Sequence, residues 1–280
     1  MKADCHIHAV LDGVDWKASI QRHEIKPDDG FLRNILQTYA HQGYTYLRDG
    51  GDRWGACLRA RELAVEYGIT YRTPGSPLCQ KGHYGGFIGT SYETMAEYAQ
   101  LVADARKKGW DFIKIMISGL MDFNQFGVLT ELGMNPSQIR ELIHIAHEEG
   151  MAVMAHANGA QTVIAAAEAG VDSVEHGAYL NEDALQAMKQ AGTVWVPTLS
   201  TVGNLRGKGR FSDDAVVKIL ENTSYYVNQF YNIGGLLAPG TDAGAWAVPH
   251  GSETEVLLLQ QAGVPEAYLQ KGIAKIIEKF

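Results

Sequence analysis

The chain has few cysteines, no long apolar segment and no cluster of basic residues, and each absence excludes a class of protein. Its three cysteines, Cys5, Cys57 and Cys79, are widely spaced and form no CxxC pair. An odd number of separated cysteines predicts reduced, buried thiols in a cytoplasmic protein rather than a disulfide framework. Because no run of about 18 apolar residues exists, the sequence predicts no membrane-spanning helix.

The charge distribution argues against nucleic acid as the main partner. The net charge is −8 with ten histidines counted as neutral, and no Lys/Arg-rich run is present. No apolar stretch follows the first residues, so we expect no secretory signal. The 280 residues are 46% hydrophobic and 20% charged, which is typical of a globular domain. We expect a small-molecule substrate as the partner and leave a homo-oligomer open.

Short apolar strands alternate with helical patterns along the whole chain. Alternating units of this kind indicate a parallel sheet, and eight of them predict a closed (β/α)8 TIM barrel. An open doubly wound sheet is the alternative, but no GxGxxG follows the first strand. The chain is therefore predicted to be one domain, 1–280, with a C-terminal helix at 265–280. The predicted strands are 4–10, 44–49, 69–72, 111–118, 151–157, 171–176, 193–199 and 236–242.

Two histidines one residue apart, His6 and His8, lie in the first predicted strand. Side chains alternate across a strand with a period of two, so both imidazoles should lie on one face. Two imidazoles side by side can bind one divalent metal ion, and a coincidental surface pair is the alternative.

In a (β/α)8 barrel the active site lies at the C-terminal ends of the strands, so polar residues there are the candidates. Later predicted strands each carry one such residue: Lys114, His156, His176 and Asp242. With the histidine pair, they supply four imidazoles, one carboxylate and one lysine at a single rim. Histidine and aspartate ligands suit Zn²⁺ and similar divalent ions.

Lys114 is the unusual member of this set. An unpaired ammonium in an apolar strand would cost several kcal/mol or lose its proton. The amine could be neutral or paired with an acid. Alternatively, CO₂ could convert it to a carbamate, an anion whose two oxygens can bridge two metal ions.

These residues resemble the amidohydrolase superfamily, in particular its binuclear branch. That branch carries HxH on strand one, a carboxylated lysine on strand four, histidines on strands five and six, and an aspartate on strand eight. The strings DFIKIMISG, AHANGA, AGVDSVEHGAYL and PGTDAG are also similar to imidazolonepropionase-like and Xaa-Pro dipeptidase-like members. Family members usually add a small β-sandwich from segments flanking the barrel, and we expect this chain to lack it.

The resemblance implies two divalent metal ions, for which the ligands favour Zn²⁺, and a CO₂-derived carbamate on Lys114. By this resemblance the more buried ion is held by His6, His8 and Asp242, the more exposed ion by His156 and His176, and Lys114 bridges them. The implied activity is hydrolysis of an amide (C–N) bond in a cyclic amide, N-acyl amino acid or dipeptide by a metal-bridging hydroxide. Asp242 and Lys114 are the implied catalytic residues, and Asp242 would move a proton from the water to the leaving group.

Three further residues are predicted to contact the substrate. His83 and Tyr84 lie in a glycine-rich loop after the third predicted strand, which resembles a Gly-His loop near the substrate in this branch. His250 follows the last predicted strand and is the third candidate.

Charged residues elsewhere are given mostly structural interpretations. Arg48 and Asp49, adjacent at the end of the second predicted strand, are interpreted as a structural ion pair. The loop after the seventh strand carries Arg206, Lys208 and Arg210, which could attract a substrate carboxylate. A solvated basic loop is the alternative interpretation.

Three other functions remain open from the sequence. A mononuclear deaminase of the same superfamily would use one ion and would not need the bridging lysine. A lactonase or phosphotriesterase-like esterase would keep two ions and change the substrate. A catalytically inactive metal-binding barrel is the non-enzymatic alternative.

Overall fold

Short parallel strands alternate with helices in the computed structural model, which describes all 280 residues. The strands are β1 (Lys2–Ile7), β2 (Tyr44–Asp49), β3 (Thr70–Arg72), β4 (Leu78–Gln80), β5 (Thr90–Tyr92), β6 (Ile113–Met116), β7 (Val153–Ala157), β8 (Ser173–His176) and β9 (Val194–Val196). The helices are α1 (Trp16–His23), α2 (Asp29–His41), α3 (Ala56–Ala64), α4 (Met95–Lys107), α5 (Pro136–Glu148), α6 (Ala160–Glu168), α7 (Glu182–Ala191), α8 (Ser200–Gly203), α9 (Asp213–Asn232), α10 (Thr254–Gln261) and α11 (Glu266–Lys279), with a 3₁₀ turn at Val65–Tyr67. None of these helices combines the length and apolarity needed to cross a bilayer.

The strands form two parallel sheets whose order follows the chain around a ring, except that β5 lies at the edge beside β4. One sheet has the order β1-β2-β3, and the other has the order β5-β4-β6-β7-β8-β9. Between them, the Asp111 N–H donates to the Thr73 carbonyl at 3.0 Å. This arrangement agrees with the predicted (β/α)8 barrel, although the hydrogen-bonded ladder is not continuous around the ring.

The segment 236–243 occupies the position of the eighth predicted strand. On one side, the Trp195 N–H donates to the Leu236 carbonyl at 2.9 Å; on the other, the Cys5 N–H donates to the Pro239 carbonyl at 2.9 Å. The segment forms isolated bridges rather than a regular strand. It therefore joins β9 to β1, the last sheet strand to the first.

Sequence patterns missed several elements on the rim of the barrel. The segment before α2, to which no element was assigned, contains α1, whose N-terminus is capped by the Asp15 side chain. The predicted loop 73–89 contains β4, and the helix predicted from residue 91 begins only at Met95. Thr94 starts that helix through a capping box with Glu97, while the residues before it pair as β5.

Apolar side chains fill the barrel below the polar rim. Ala3 and Cys5 of β1 pack with Phe112, and Ile276 and Phe280 at the end of α11 close this cluster from beneath. Burial of such side chains is the main favourable contribution to folding. The polar residues of the rim thus lie above a buried apolar layer, which shields them from water on that side.

A buried carboxyl group under the rim predicts a pH-dependent stability. Glu255 of α10 accepts hydrogen bonds from the Ser200 N–H (2.8 Å) and hydroxyl (3.0 Å), and its side chain is fully buried. Burial raises the pKa of Glu255 to about 8. An unfolded glutamate titrates near about 4.3, so between these values the folded protein binds more protons and loses stability as pH rises.

We therefore expect Glu255→Gln to gain stability relative to the wild type as pH rises from about 5 to about 9. The relative gain should be on the order of 1 to 4 kcal/mol, since the amide does not ionise. Urea unfolding at both pH values measures it. Glu253→Gln, at the exposed N-cap of the same helix, is the control; it removes a surface ion pair with Lys2, and its pH profile should run parallel to that of the wild type between these pH values. Parallel pH profiles for Glu255→Gln and the wild type would contradict this assignment.

Candidate metal centre

All six predicted metal ligands line one cavity of about 410 Å³ at the C-terminal ends of the strands. They come from β1 and the residue after it, from β6, β7 and β8, and from the segment 236–243: His6, His8, Lys114, His156, His176 and Asp242. The strand order of the barrel therefore brings together side chains that are far apart in the sequence, as predicted.

His6, His8 and Asp242 form the tightest group of the site. Their ligand atoms all lie within 4.8 Å of one another. The Asp242 Oδ1 lies 3.3 Å from the His8 Nε2 and 3.5 Å from the His6 Nε2. The His6 Nε2 and the His8 Nδ1 are buried without a hydrogen-bond partner. Buried polar atoms normally have a partner, so the unpaired His6 Nε2, which faces Asp242, fits a site built for a cation.

A buried carboxylate fixes the orientation of His6. The His6 Nδ1–H donates to the Glu175 Oε2 at 2.8 Å, which leaves Nε2 facing Asp242. The Arg48 guanidinium donates to the other Glu175 oxygen at 2.8 Å, and all three side chains have no exposed surface. Burial raises the pKa of Glu175, but Arg48 and His6 outweigh it and hold that pKa at about 2. A charged carboxylate behind a histidine is the usual support of a metal-binding imidazole.

The structure corrects the interpretation of Arg48 and Asp49 as an ion pair. Arg48 pairs with Glu175, whereas Asp49 accepts hydrogen bonds from the Tyr71 hydroxyl (2.6 Å) and the Ala9 N–H (2.8 Å). Neighbouring side chains of a strand point to opposite faces, so adjacent residues of β2 do not face each other.

His156 and His176 form a second pair beside the first. Their ring centroids lie 4.5 Å apart, and the His176 ring lies 5.2 Å from that of His6. The His156 Nε2–H donates to the Gly119 carbonyl at 3.1 Å, and the His176 Nδ1 lies 2.7 Å from the Thr198 hydroxyl. Burial lowers the pKa of His156 to about 3, so its ring is neutral, the form that binds metals.

Lys114 lies on β6 with its Nζ fully buried and without a hydrogen-bond partner. Burial lowers the pKa of Lys114 to about 8, although the carboxylates of Glu175 and Asp242 favour the charged form. Part of the amine is therefore neutral at neutral pH.

Asp242 is held against β1 by backbone and side-chain contacts. Its N–H donates to the His6 carbonyl at 2.7 Å, and its backbone adopts a left-handed φ of 55°. The preceding Thr241 donates from its N–H and hydroxyl to the buried Asp4 carboxylate at 2.9 and 2.6 Å. A Cβ on Gly240 would lie 2.8 Å from the His6 Cβ, so only glycine permits this close approach.

The predicted substrate residues have different outcomes. Tyr84 lines the cavity, with its ring centroid 4.7 Å from that of His156. His83 does not line it; half of its side chain is exposed, and its Nδ1 lies 3.3 Å from a Glu131 oxygen. His250 does not line it either, since its Nε2–H donates to the Leu11 carbonyl at 2.9 Å. The structure thus brings only Tyr84 of these three residues into the cavity.

Apolar side chains that sequence reasoning missed form the mouth of the cavity. They come from the segment before α2, from the loop after β4 and from the loop after residue 243: Val14, Trp16, Phe87 and Trp246. Arg210 is the one residue of the basic loop that lines the cavity. The position of Trp246 just after the GTDAG string was a usable signal, whereas the others lay in segments without a periodic pattern.

A model of the amidohydrolase family matches residues 3–252. Among curated proteins, ochratoxinase of Aspergillus niger is 28% identical over 156 residues, covering 52% of this chain and 28% of that protein. An uncharacterised protein of Mycobacterium tuberculosis is 28% identical over 197 residues, covering 68% of this chain and 52% of its own. The chain thus spans at most about half the length of these two curated relatives.

Solved structures of similar fold include a Xaa-Pro dipeptidase with methionine bound in its active site. Its TM-score is 0.81 at 22% identity, covering 99% of this chain and 75% of that one. The Aspergillus niger ochratoxinase has a TM-score of 0.74 at 20% identity, covering 98% and 70%. These structures confirm the fold, and the family model spans most of the sequence, including all six candidate ligands. The chain belongs to the amidohydrolase family.

Proposed function

We propose that this chain is a metal-dependent hydrolase that cleaves an amide bond of a small molecule. The reaction would take place at a centre of two divalent ions, for which we propose zinc. The observation that supports this most directly is the set of six convergent side chains, with unpaired buried nitrogens on His6 and Lys114. Imidazole and carboxylate ligands suit zinc. The amide substrates of similar proteins, a Xaa-Pro dipeptidase and an ochratoxinase by name, support the reaction class.

Divalent ions held by His6, His8, Asp242, His156 and His176 would lower the pKa of water and polarise the substrate carbonyl. The protein would supply the proton transfer. Burial raises the pKa of Asp242, but His6 and His8 outweigh it and lower that pKa below its ordinary value, so the side chain is ionised. This carboxylate would accept a proton from the attacking water and pass it to the leaving nitrogen.

Lys114 would serve as a carbamate. Its neutral amine would attack the carbon of CO₂, forming an N–C bond while one C=O electron pair moves to oxygen and one proton passes from the nitrogen to water. The product is an anion with two oxygens, which suits a site between two cations. This conversion would also remove the unpaired buried amine that the structure shows.

The test is a metal count combined with a substrate panel. Protein stripped with chelator and reloaded with zinc and bicarbonate should bind about two ions per chain and hydrolyse some member of a panel of cyclic amides, N-acyl amino acids and dipeptides. Lys114→Met should bind about one ion and lose nearly all turnover. Lys81→Met, which removes an exposed lysine, is the matched control and should behave as the wild type.

Other results would select the other functions. One ion per chain with full turnover by Lys114→Met would favour a mononuclear deaminase. Turnover of lactones or phosphotriesters but of no amide would favour the esterase, and metal binding without any turnover would favour an inactive barrel.

A further inference from the structure

Two compartments meet at the candidate centre. The cavity of about 410 Å³ adjoins a second one of about 230 Å³, and both are bordered by His176 and Asp242. The second compartment is lined largely by apolar side chains, among them Phe123, Leu205 and Phe211. An amide has an acyl side and an amine side, so a centre reached from two compartments suits a substrate with a group on each side.

Arg210 borders both compartments. Its guanidinium lies 4.5 Å from the centroid of the Trp246 ring and 5.2 Å from that of Phe211. No acidic side chain pairs with it, unlike the guanidiniums of Arg48, Arg59 and others. A guanidinium stacked on an aromatic ring keeps its N–H edges free for two hydrogen bonds to one carboxylate.

The surroundings make Arg210 the natural site for an anion. Apart from the histidines, the only other cationic side chain that lines the larger cavity is Lys114, which lies at the buried end among the candidate ligands. The mouth is otherwise apolar, with Val14, Trp16 and Phe87 exposed or partly exposed. A negatively charged group of a substrate therefore has one protein cation to bind at the mouth.

We infer that Arg210 binds a carboxylate of the substrate and is the residue that selects amides carrying an anionic group over uncharged amides. This rests on the proposed function and narrows its substrates to N-acyl amino acids and peptides with a free carboxylate. Apolar groups on either side of the scissile bond would pack in the two compartments.

The same loop offers matched controls. Arg206 and Lys208 are exposed and line neither compartment. Replacing either with methionine changes the net charge by the same amount as Arg210→Met, but leaves the Arg210 contact with the substrate carboxylate in place. If Arg210 contacts the carboxylate directly, only Arg210→Met should weaken the interaction with the substrate. If the loop acts through its overall positive charge, all three variants should weaken it equally.

The experiment compares an N-acyl amino acid with its carboxamide, as substrates and as ligands. The zinc-loaded wild type should prefer the acid in kcat/KM by about 10- to 100-fold, as expected for a charge-assisted hydrogen-bonded pair. Arg210→Met should lose this preference mainly through KM, whereas Arg206→Met and Lys208→Met should keep it. Calorimetric binding of the acid to the stripped proteins should show the same order, because that readout needs no turnover. Thermal unfolding confirms that the variants are folded.

Each outcome bears on a different statement. Amide hydrolysis with equal rates for acid and carboxamide would overturn the role of Arg210 and leave the proposed function standing. Equal losses in all three variants would also overturn it, since they would indicate a long-range field. Absence of amide hydrolysis would contradict the proposed function, and the calorimetry would still decide whether Arg210 binds the carboxylate.

Discussion

Asp242→Asn should lower kcat on any amide substrate by at least about 10³-fold, because one substitution would remove both a proposed metal ligand and the proposed proton acceptor. The amide is neutral and cannot take the proton of the attacking water. The substitution should also weaken metal binding by the group in which the Asp242 Oδ1 lies 3.3 Å from the His8 Nε2 and 3.5 Å from the His6 Nε2. Steady-state kinetics on the metal-loaded protein measures the loss.

The fold should survive this substitution, which makes the kinetic result interpretable. Residue 242 has a left-handed φ of 55°, a region that asparagine tolerates as well as aspartate. The thermal unfolding midpoint of the metal-free protein should therefore stay near that of the metal-free wild type. Asp214→Asn, an exposed position of α9, is the control for activity. Retention of more than about one tenth of wild-type kcat would exclude Asp242 as the proton acceptor.

Glu175→Leu should have the largest effect on stability, with a loss of about 3 to 5 kcal/mol. It would leave the Arg48 guanidinium, which has no exposed surface, buried without its carboxylate partner. The same substitution should lower metal affinity by about 10- to 100-fold, because the His6 Nδ1 would lose the acceptor that orients the ring. Urea unfolding and competition with a chelator measure the two effects separately.

The double variant Arg48→Met/Glu175→Leu distinguishes the two roles of the carboxylate. Replacing both charges with apolar side chains should recover much of the lost stability, since no unpaired charge remains. Metal affinity should stay low, because His6 still lacks its acceptor. Recovery of stability and affinity together would show that Glu175 acts on the site only through the fold.

The convergence of the six candidate ligands could be predicted from sequence because it depends on coarse geometry. Strand ends of a barrel converge at one face, so locating His156, His176 and Asp242 within about three residues of a strand end was sufficient. Predicted element edges were imprecise by a similar amount. This imprecision did not matter for residues whose position follows from strand order alone.

The rest of the site depends on local backbone and long-range pairing that periodicity does not contain. Glu175 precedes His176 in a strand, so simple alternation places the two side chains on opposite faces. Nevertheless, Glu175 bonds the candidate ligand His6, and His176 itself lines the cavity. The left-handed φ of 69° at His176 departs from extended backbone and makes this arrangement understandable. The sequence suggests Asp49 as the partner of Arg48 because the two are adjacent, whereas the observed partner, Glu175, lies 127 positions away. His250 was placed by proximity in sequence, whereas its ring bonds the Leu11 carbonyl.

The position of segment 236–243 couples the candidate metal centre to the stability of the barrel. The segment meets β1 through one isolated bridge, between Ile7 and Ala243, rather than a full ladder, and it carries Asp242 opposite His6 and His8. A cation shared by these side chains would link the first strand of the barrel to its last segment, adding to the backbone hydrogen bonds that Cys5, His8 and Asp242 donate between them. Loading the centre would therefore stabilise this junction of the barrel, and emptying it would remove that contribution.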